Sequence, residues 1–200
     1  MTTPGHAPLT TIATTDMDTR TVSHRDELLA RCIPFLDEVK GMTTGSTTEA
    51  WLNERYGPDS DFYRDVAHLI RLGVEKEGWA ANIEIQGRRY RRSRIADPSA
   101  ETFWFSVTAV YMDSREDEQG LPQHTPEDDF RGDYHAHPYG EFNMVIPLND
   151  EAALAGPNGW CHAGWTAPAP GSAHYPEVKG GAVIALFFLP AGRITYDIGK

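Results

Sequence analysis

Gly132-Asp133-Tyr134-His135-Ala136-His137-Pro138-Tyr139-Gly140-Glu141 decides how this chain is read. Side chains alternate along a strand, so His135 and His137 point to one face. Tyr139, Glu141 and Asn143 share that face if the strand runs on. Pro138 and Gly140 instead mark a tight bend, which still returns Glu141 toward the imidazoles. Further along, Pro170-Gly171-Ser172-Ala173-His174 is a Pro-Gly turn carrying another imidazole. At these spacings His135, His137, Glu141 and His174 can close around one divalent metal. Imidazole nitrogen plus carboxylate oxygen suits Fe, Mn, Zn, Ni or Cu better than Ca or Mg. Such a set leaves coordination positions for water or substrate, which is catalytic rather than structural in kind.

The surroundings are strands. Ala81–Ile85, Tyr90–Ile95, Thr102–Met112, Tyr134–His137, Glu141–Pro147, Gly159–Trp165, Ala182–Leu189 and Arg193–Ile198 are short β-type runs separated by Gly, Pro and Asp clusters. Many short strands at close spacing predict an antiparallel barrel or sandwich. Before residue 80 the pattern is helical. Ser23 caps a helix with Asp26 at its third position, and Leu28, Leu29, Cys32, Ile33 and Leu36 follow at helical spacing. Pro34 falls inside that stripe and threatens to kink or split it. A short helix is expected over Thr48–Tyr56, and another capped at Asp59 or Ser60 and ending at Gly78. The expected organisation is a mobile arm over 1–21, helices over 22–80 packing on the barrel, and a metal-binding barrel over 81–200. Asp113–Phe130 is an acidic loop with two Pro, too long for an ordinary connection and so a lid or an insertion.

A net charge of -11 and a pI near 5.1 make the chain a poor partner for nucleic acid or an anionic membrane. It has no apolar run of transmembrane length. Its Thr-rich start lacks the apolar core of a signal peptide. Cys32 and Cys161 stand in unlike contexts with no CxxC, which fits reduced thiols in a cytoplasmic protein.

Gly132–Glu141 resembles the first cupin motif, and Pro170–His174 the second. In the second, Pro directly precedes Gly, and Val178 stands where an Asn is common. The resemblance spans about residues 85–198 and implies a small double-sheet jelly-roll barrel, mainly β, with a metal at its centre. A closer likeness runs over most of the chain. His135–Asn149, Asn158-Gly159-Trp160-Cys161-His162-Ala163-Gly164-Trp165 and Phe187-Phe188-Leu189-Pro190-Ala191-Gly192-Arg193-Ile194 are similar to the 4-hydroxylaminobenzoate lyase family. That resemblance implies helices before a cupin-like domain. It also implies conversion of 4-hydroxylaminobenzoate to 3,4-dihydroxybenzoate with release of ammonia, in nitroaromatic degradation. A cupin Fe(II) dioxygenase acting on an aromatic acid and a non-enzymatic aromatic-acid-binding cupin are the competing readings, because fold alone does not fix chemistry.

The lyase chemistry needs an acid or base, a place for the ring and a cation for the carboxylate. Tyr139, inside the first motif, and His162, between Trp160 and Trp165, are the acid/base candidates. The aromatic stretch that holds Trp165 suits a benzene ring. Arg131 and Arg193 are candidates for the carboxylate. So is the run Gly87–Arg94, whose five Arg include one strand face able to grip a carboxylate bidentately. Open sheets leave edges for a second copy to cover, so a homodimer is expected.

Overall fold

The computed structural model describes residues 22–117 and 129–196. The expected arm over 1–21, most of the acidic loop and the end of the last expected strand lie outside the described residues. Ser23 does cap the first helix: its Oγ accepts from the Asp26 amide at 3.2 Å. Helix α1 (His24–Val39) runs through Pro34 without splitting and buries Leu28, Cys32, Phe35, Leu36 and Val39. Helix α2 covers Ser46–Arg55. Helix α3 (Asp61–Leu72) is capped by Ser60, passes into a wider π turn over Gly73–Glu77, and stops at Gly78 in the left-handed conformation.

Twelve strands follow among the described residues: β1 (Ile83–Glu84), β2 (Tyr90–Ala96), β3 (Phe105–Asp113), β4 (Asp129–Arg131), β5 (His135–His137), β6 (Phe142–Pro147), β7 (Ala153–Gly156), β8 (Gly159–Cys161), β9 (Gly164–Thr166), β10 (Ser172–His174), β11 (Glu177–Lys179) and β12 (Ala182–Pro190). Every pairing between them is antiparallel. One sheet has the order β1-β2-β3-β12-β6-β9, a second β4-β11-β7-β8, and β10 pairs with β5 alone. The architecture is mainly β, a cupin-like double-sheet barrel preceded by helices.

Strand parity divides the larger sheet into two working faces. Val107, Met144, Trp165, Ile184, Leu186 and Phe188 pack with Leu28, Phe35 and Ile70 of the helices. The opposite residues, Val110, Met112, Val145, Val183 and Ala185, pack with Phe130, Leu154 and Val178 of the four-stranded sheet. That second face is the barrel interior. Each fully buried Leu, Ile or Phe contributes about 1.5–3 kcal/mol of burial, so both layers carry stability. Helix α2 is also tied to β9 by one side chain. Asn53 Oδ1 accepts from Trp165 N at 2.9 Å, and its Nδ2 donates to Trp165 O at 3.0 Å.

Several expected strand bounds shift for local reasons. Gly159–Trp165 is two strands in different sheets: Cys161 pairs with Leu154, and Trp165 with Met144. Gly164, at φ 140°, makes the break. The third expected strand starts three residues late, because Phe103 and Trp104 take positive φ. Arg193–Ile198 reduces, in its described part, to one bridge between Thr195 and Ala136. Strands β4, β7, β10 and β11 are only three or four residues long and give no periodic signal.

Candidate metal centre

The centre is built on a short antiparallel pair. In β5 and β10, His135 lies opposite His174, Ala136 opposite Ala173 and His137 opposite Ser172. Parity puts His135, His137 and His174 on one side. Their ring centroids are 4.7 Å (His135–His137), 4.8 Å (His135–His174) and 5.0 Å (His137–His174) apart. One nitrogen from each lies within 4.8 Å of the others. After β5 the chain turns on Gly140 at φ 79°, closed by a Gly140 N–H to His137 O bond of 3.1 Å. The turn returns Glu141 to the centre, where its Oε2 is 3.2 Å from His137 Nδ1. The bend signalled by Pro138 and Gly140 is thus the one formed, rather than a continuous strand.

Burial sets the charge state. His137 is fully enclosed and its pKa falls to about 3, through burial first and then the neighbouring imidazoles. His174 falls to about 4 for the same reasons, burial leading. His135 is also lowered by burial, opposed by its bond to the Asp133 carbonyl. All three rings are therefore neutral at neutral pH, with lone pairs free to ligate. Glu141 is pushed up to about 8 by burial, offset by the Asn143 amide that donates to its Oε1. The close approach of His137 and Glu141 is accordingly a contact of two neutral groups, without hydrogen-bond alignment.

That leaves buried polar atoms without partners: both ring nitrogens of His137, Glu141 Oε2 and Asn143 Oδ1. Orphaned buried groups are costly. Three neutral imidazoles beside an unsatisfied carboxyl oxygen fit a divalent transition metal in both donor type and number. His135 Nδ1 is 2.8 Å from Asp133 O. As a donor there it leaves Nε2 to face a cation, the usual second contact of a ligating histidine.

A cavity of about 350 Å³ opens beside His135. Val110, Phe187, Leu189 and Ile194 give it apolar walls, and Tyr90, Arg92 and Tyr196 bring polar groups to it. The volume lies in the usual range for small-molecule sites. The Thr195–Ala136 bridge is what holds Tyr196 there, with its ring 5.7 Å from that of His135. Burial raises the Tyr90 hydroxyl to about 12.

Four other residues expected at the site lie outside this cavity. Trp165 is on the helix-facing side of its sheet, its ring 5.0 Å from Phe35 and its Nε1 donating to Tyr56 O at 2.7 Å. Arg131 pairs with Glu177 at 2.6 Å and lies over the Tyr175 ring. Tyr139 is on the exposed turn after β5. His162 is exposed between β8 and β9, its Nδ1 3.1 Å from Ala152 O. None of these four lines the cavity beside His135. Tyr90 and Tyr196 were not singled out in the sequence, although Tyr90, Arg92 and Arg94 share one strand face and could have been grouped by parity.

The fold and the centre together define a cupin-like barrel protein with a three-histidine cluster. The chain belongs to the 4-hydroxylaminobenzoate lyase family: the family model described as PnbB, 4-hydroxylaminobenzoate lyase, matches residues 30–196. A 4-hydroxylaminobenzoate lyase from Pseudomonas putida is 62% identical over 176 residues, 88% of this chain and 97% of that protein. One from Nocardioides sp. (strain LMS-CY) is 58% identical over 177 residues, again 88% and 97%. Among solved structures, DMSP lyase DddQ from Ruegeria pomeroyi DSS-3 aligns with TM-score 0.40 at 15% identity, over 90% of this chain and 100% of that one. An oxalate decarboxylase aligns with TM-score 0.37 at 13% identity, over 57% of this chain and 29% of that one.

Proposed function

We propose that the protein is a metal-dependent 4-hydroxylaminobenzoate lyase that forms 3,4-dihydroxybenzoate and ammonia. The observation that carries this reading is the three-histidine cluster at the edge of an apolar, ring-sized cavity, in a chain 62% identical to a lyase of that name. His135, His137 and His174 would hold the cation, and Glu141, whose Oε2 is 3.2 Å from His137 Nδ1, would be the fourth donor.

The net reaction is redox-neutral. The N–O oxygen departs as water. A second water adds to the ring carbon next to the one bearing nitrogen, and a third hydrolyses the resulting imine to release ammonia. Rearomatisation gives the catechol, so one water is consumed overall. A divalent cation in this cluster supplies Lewis acidity and a lowered pKa for bound water. The protein's own groups do the rest. Val110, Phe187 and Leu189 hold the ring and keep bulk water from the reacting carbon. The Asp133 carbonyl fixes the His135 ring, and the Asn143 amide fixes the Glu141 carboxyl. Tyr90 Oη keeps its proton at neutral pH and so serves as a donor to departing oxygen rather than as a base.

The test is an anaerobic incubation of metal-analysed protein with 4-hydroxylaminobenzoate. Ammonia and 3,4-dihydroxybenzoate are expected in equal amounts. A requirement for oxygen would favour a dioxygenase, and binding without product a carrier; either result overturns the lyase. Small substrates of this kind put the protein's partners among aromatic carboxylates, and a homodimer in the cytoplasm is the proposed working form. Among the described residues, no helix is long and apolar enough to cross a membrane.

A further inference from the structure

We infer that Arg92, oriented by Tyr196, grips the carboxylate of the aromatic acid at the end of the cavity away from the imidazoles. The inference rests on the reading of the cavity as the substrate site and names the group that selects its ligand. Tyr90, Arg92 and Arg94 alternate along β2, and all three line the cavity. Arg92 Nη1 donates to Tyr196 Oη at 3.1 Å, and the Tyr196 ring contacts that of His135. Arg92, Tyr196 and His135 therefore form a chain from the exposed mouth of the cavity to the buried cluster. A para-disubstituted ring has matching ends: the anion meets the guanidinium, and the hydroxylamino group points inward to the imidazoles.

Three of the competing cations are engaged. Arg94 Nη1 is 3.2 Å from Asp97, and Arg131 pairs with Glu177. Arg91, on the other face of β2, lies 4.3 Å over the Tyr111 ring. Among the described residues Arg92 forms no ion pair with a carboxylate. Its one side-chain bond is to a neutral phenol, which fixes the fork while leaving guanidinium N–H groups for a bidentate anion.

The experiment compares calorimetric binding of 3,4-dihydroxybenzoate and of its neutral counterpart, 1,2-dihydroxybenzene, to the metal-loaded protein. Native protein should prefer the acid by roughly thirtyfold, the worth of one charge-assisted contact. Arg92→Gln should reduce that preference to a few-fold by weakening the acid alone, with affinity for 1,2-dihydroxybenzene and the melting temperature unchanged. Arg92→Lys should recover part of it. Arg91→Gln should keep the native preference. A full preference retained in Arg92→Gln overturns the inference, as does an equal loss for both ligands. The readout is independent of turnover. An Arg92-dependent preference without ammonia release would sink the lyase reading and spare this one; turnover with an Arg92-independent preference would do the reverse.

Discussion

His174 stands directly opposite His135 across β5 and β10, with ring centroids 4.8 Å apart. The residues are 39 positions apart in sequence, and the register of a three-residue ladder alone brings them together. A slip of one residue would send His174 to the other side. His174→Ala should therefore leave the fold in place but lower metal affinity at least about 100-fold, more than the loss typical of a supporting residue. Metal content after gel filtration and the rate of ammonia release check this together; a fully loaded, active variant would remove His174 from the site.

Glu141→Gln tests the proposed donor role of the carboxylate at nearly constant shape. Metal affinity should fall about 10–100-fold. Metal-free protein should respond in the opposite direction. The Glu141 carboxyl is raised from 4.5 to about 8, so the folded state holds a proton that the unfolded state releases as pH rises through that window. Stability is lost from pH 4.5 to 8 on that account, by up to a few kcal/mol. The glutamine variant lacks this loss, so its melting temperature should exceed that of the native metal-free protein at pH 8 more than at pH 5.

Acid acts through the imidazoles with the other sign. The His137 pKa is depressed from 6.5 to about 3 and that of His174 to about 4. Below pH 6.5 the unfolded chain takes up protons that the folded one refuses. Their contribution is complete above pH 6.5 and is lost as pH falls toward 4 and 3. In metal-free protein, His137→Gln should flatten the slope of stability between pH 6 and 4 by about 1.4 kcal/mol per pH unit. Glu141 is unchanged in that comparison and cancels. Parallel denaturation curves for the two proteins across this window would refute the assignment.

Gly140→Ala tests the turn itself. At φ 79° an L-residue costs about 1–2 kcal/mol, and the new methyl group would crowd Thr44 and the Pro168 carbonyl. Thermal stability should drop, and metal affinity with it, because the same turn positions Glu141. Unaltered metal binding would show that the loop tolerates the methyl group without moving the carboxylate.

Trp165→Ala should be costly to folding and nearly silent in substrate recognition. Loss of a buried tryptophan costs about 3–5 kcal/mol, and Trp165 faces Phe35 rather than the cavity. Denaturant unfolding and the KM of the surviving enzyme separate the two effects; a large rise in KM at unchanged stability would contradict this placement.

The histidine cluster was legible because HxH parity, a Gly-bearing bend and a Pro-Gly turn are local signals. The change from helix to strand near residue 80 was legible for the same reason, from a change of period. What escaped depended on which sheet a strand joins. Trp160 and Trp165 are five residues apart in one aromatic stretch, yet the break at Gly164 sends them to different sheets, Trp160 half-exposed under Lys179 and Trp165 to the helix-facing core. The Arg run was visible, but choosing Arg92 from it needed Tyr196, which arrives only through the Thr195–Ala136 bridge. Arg131 was a candidate for the carboxylate, but the pairing of β4 with β11, which puts Glu177 opposite it, is not visible in so short a strand.

Asn53 binding both backbone groups of Trp165 has a consequence for how the chain can be cut. The border near residue 80 separates kinds of secondary structure but not units of folding, because one apolar layer belongs to both sides. A fragment starting at residue 81 would present Trp165, Phe142 and Phe188 to water along a whole sheet. It would aggregate or recruit a substitute cover, while the helical piece supplied in trans should rescue it.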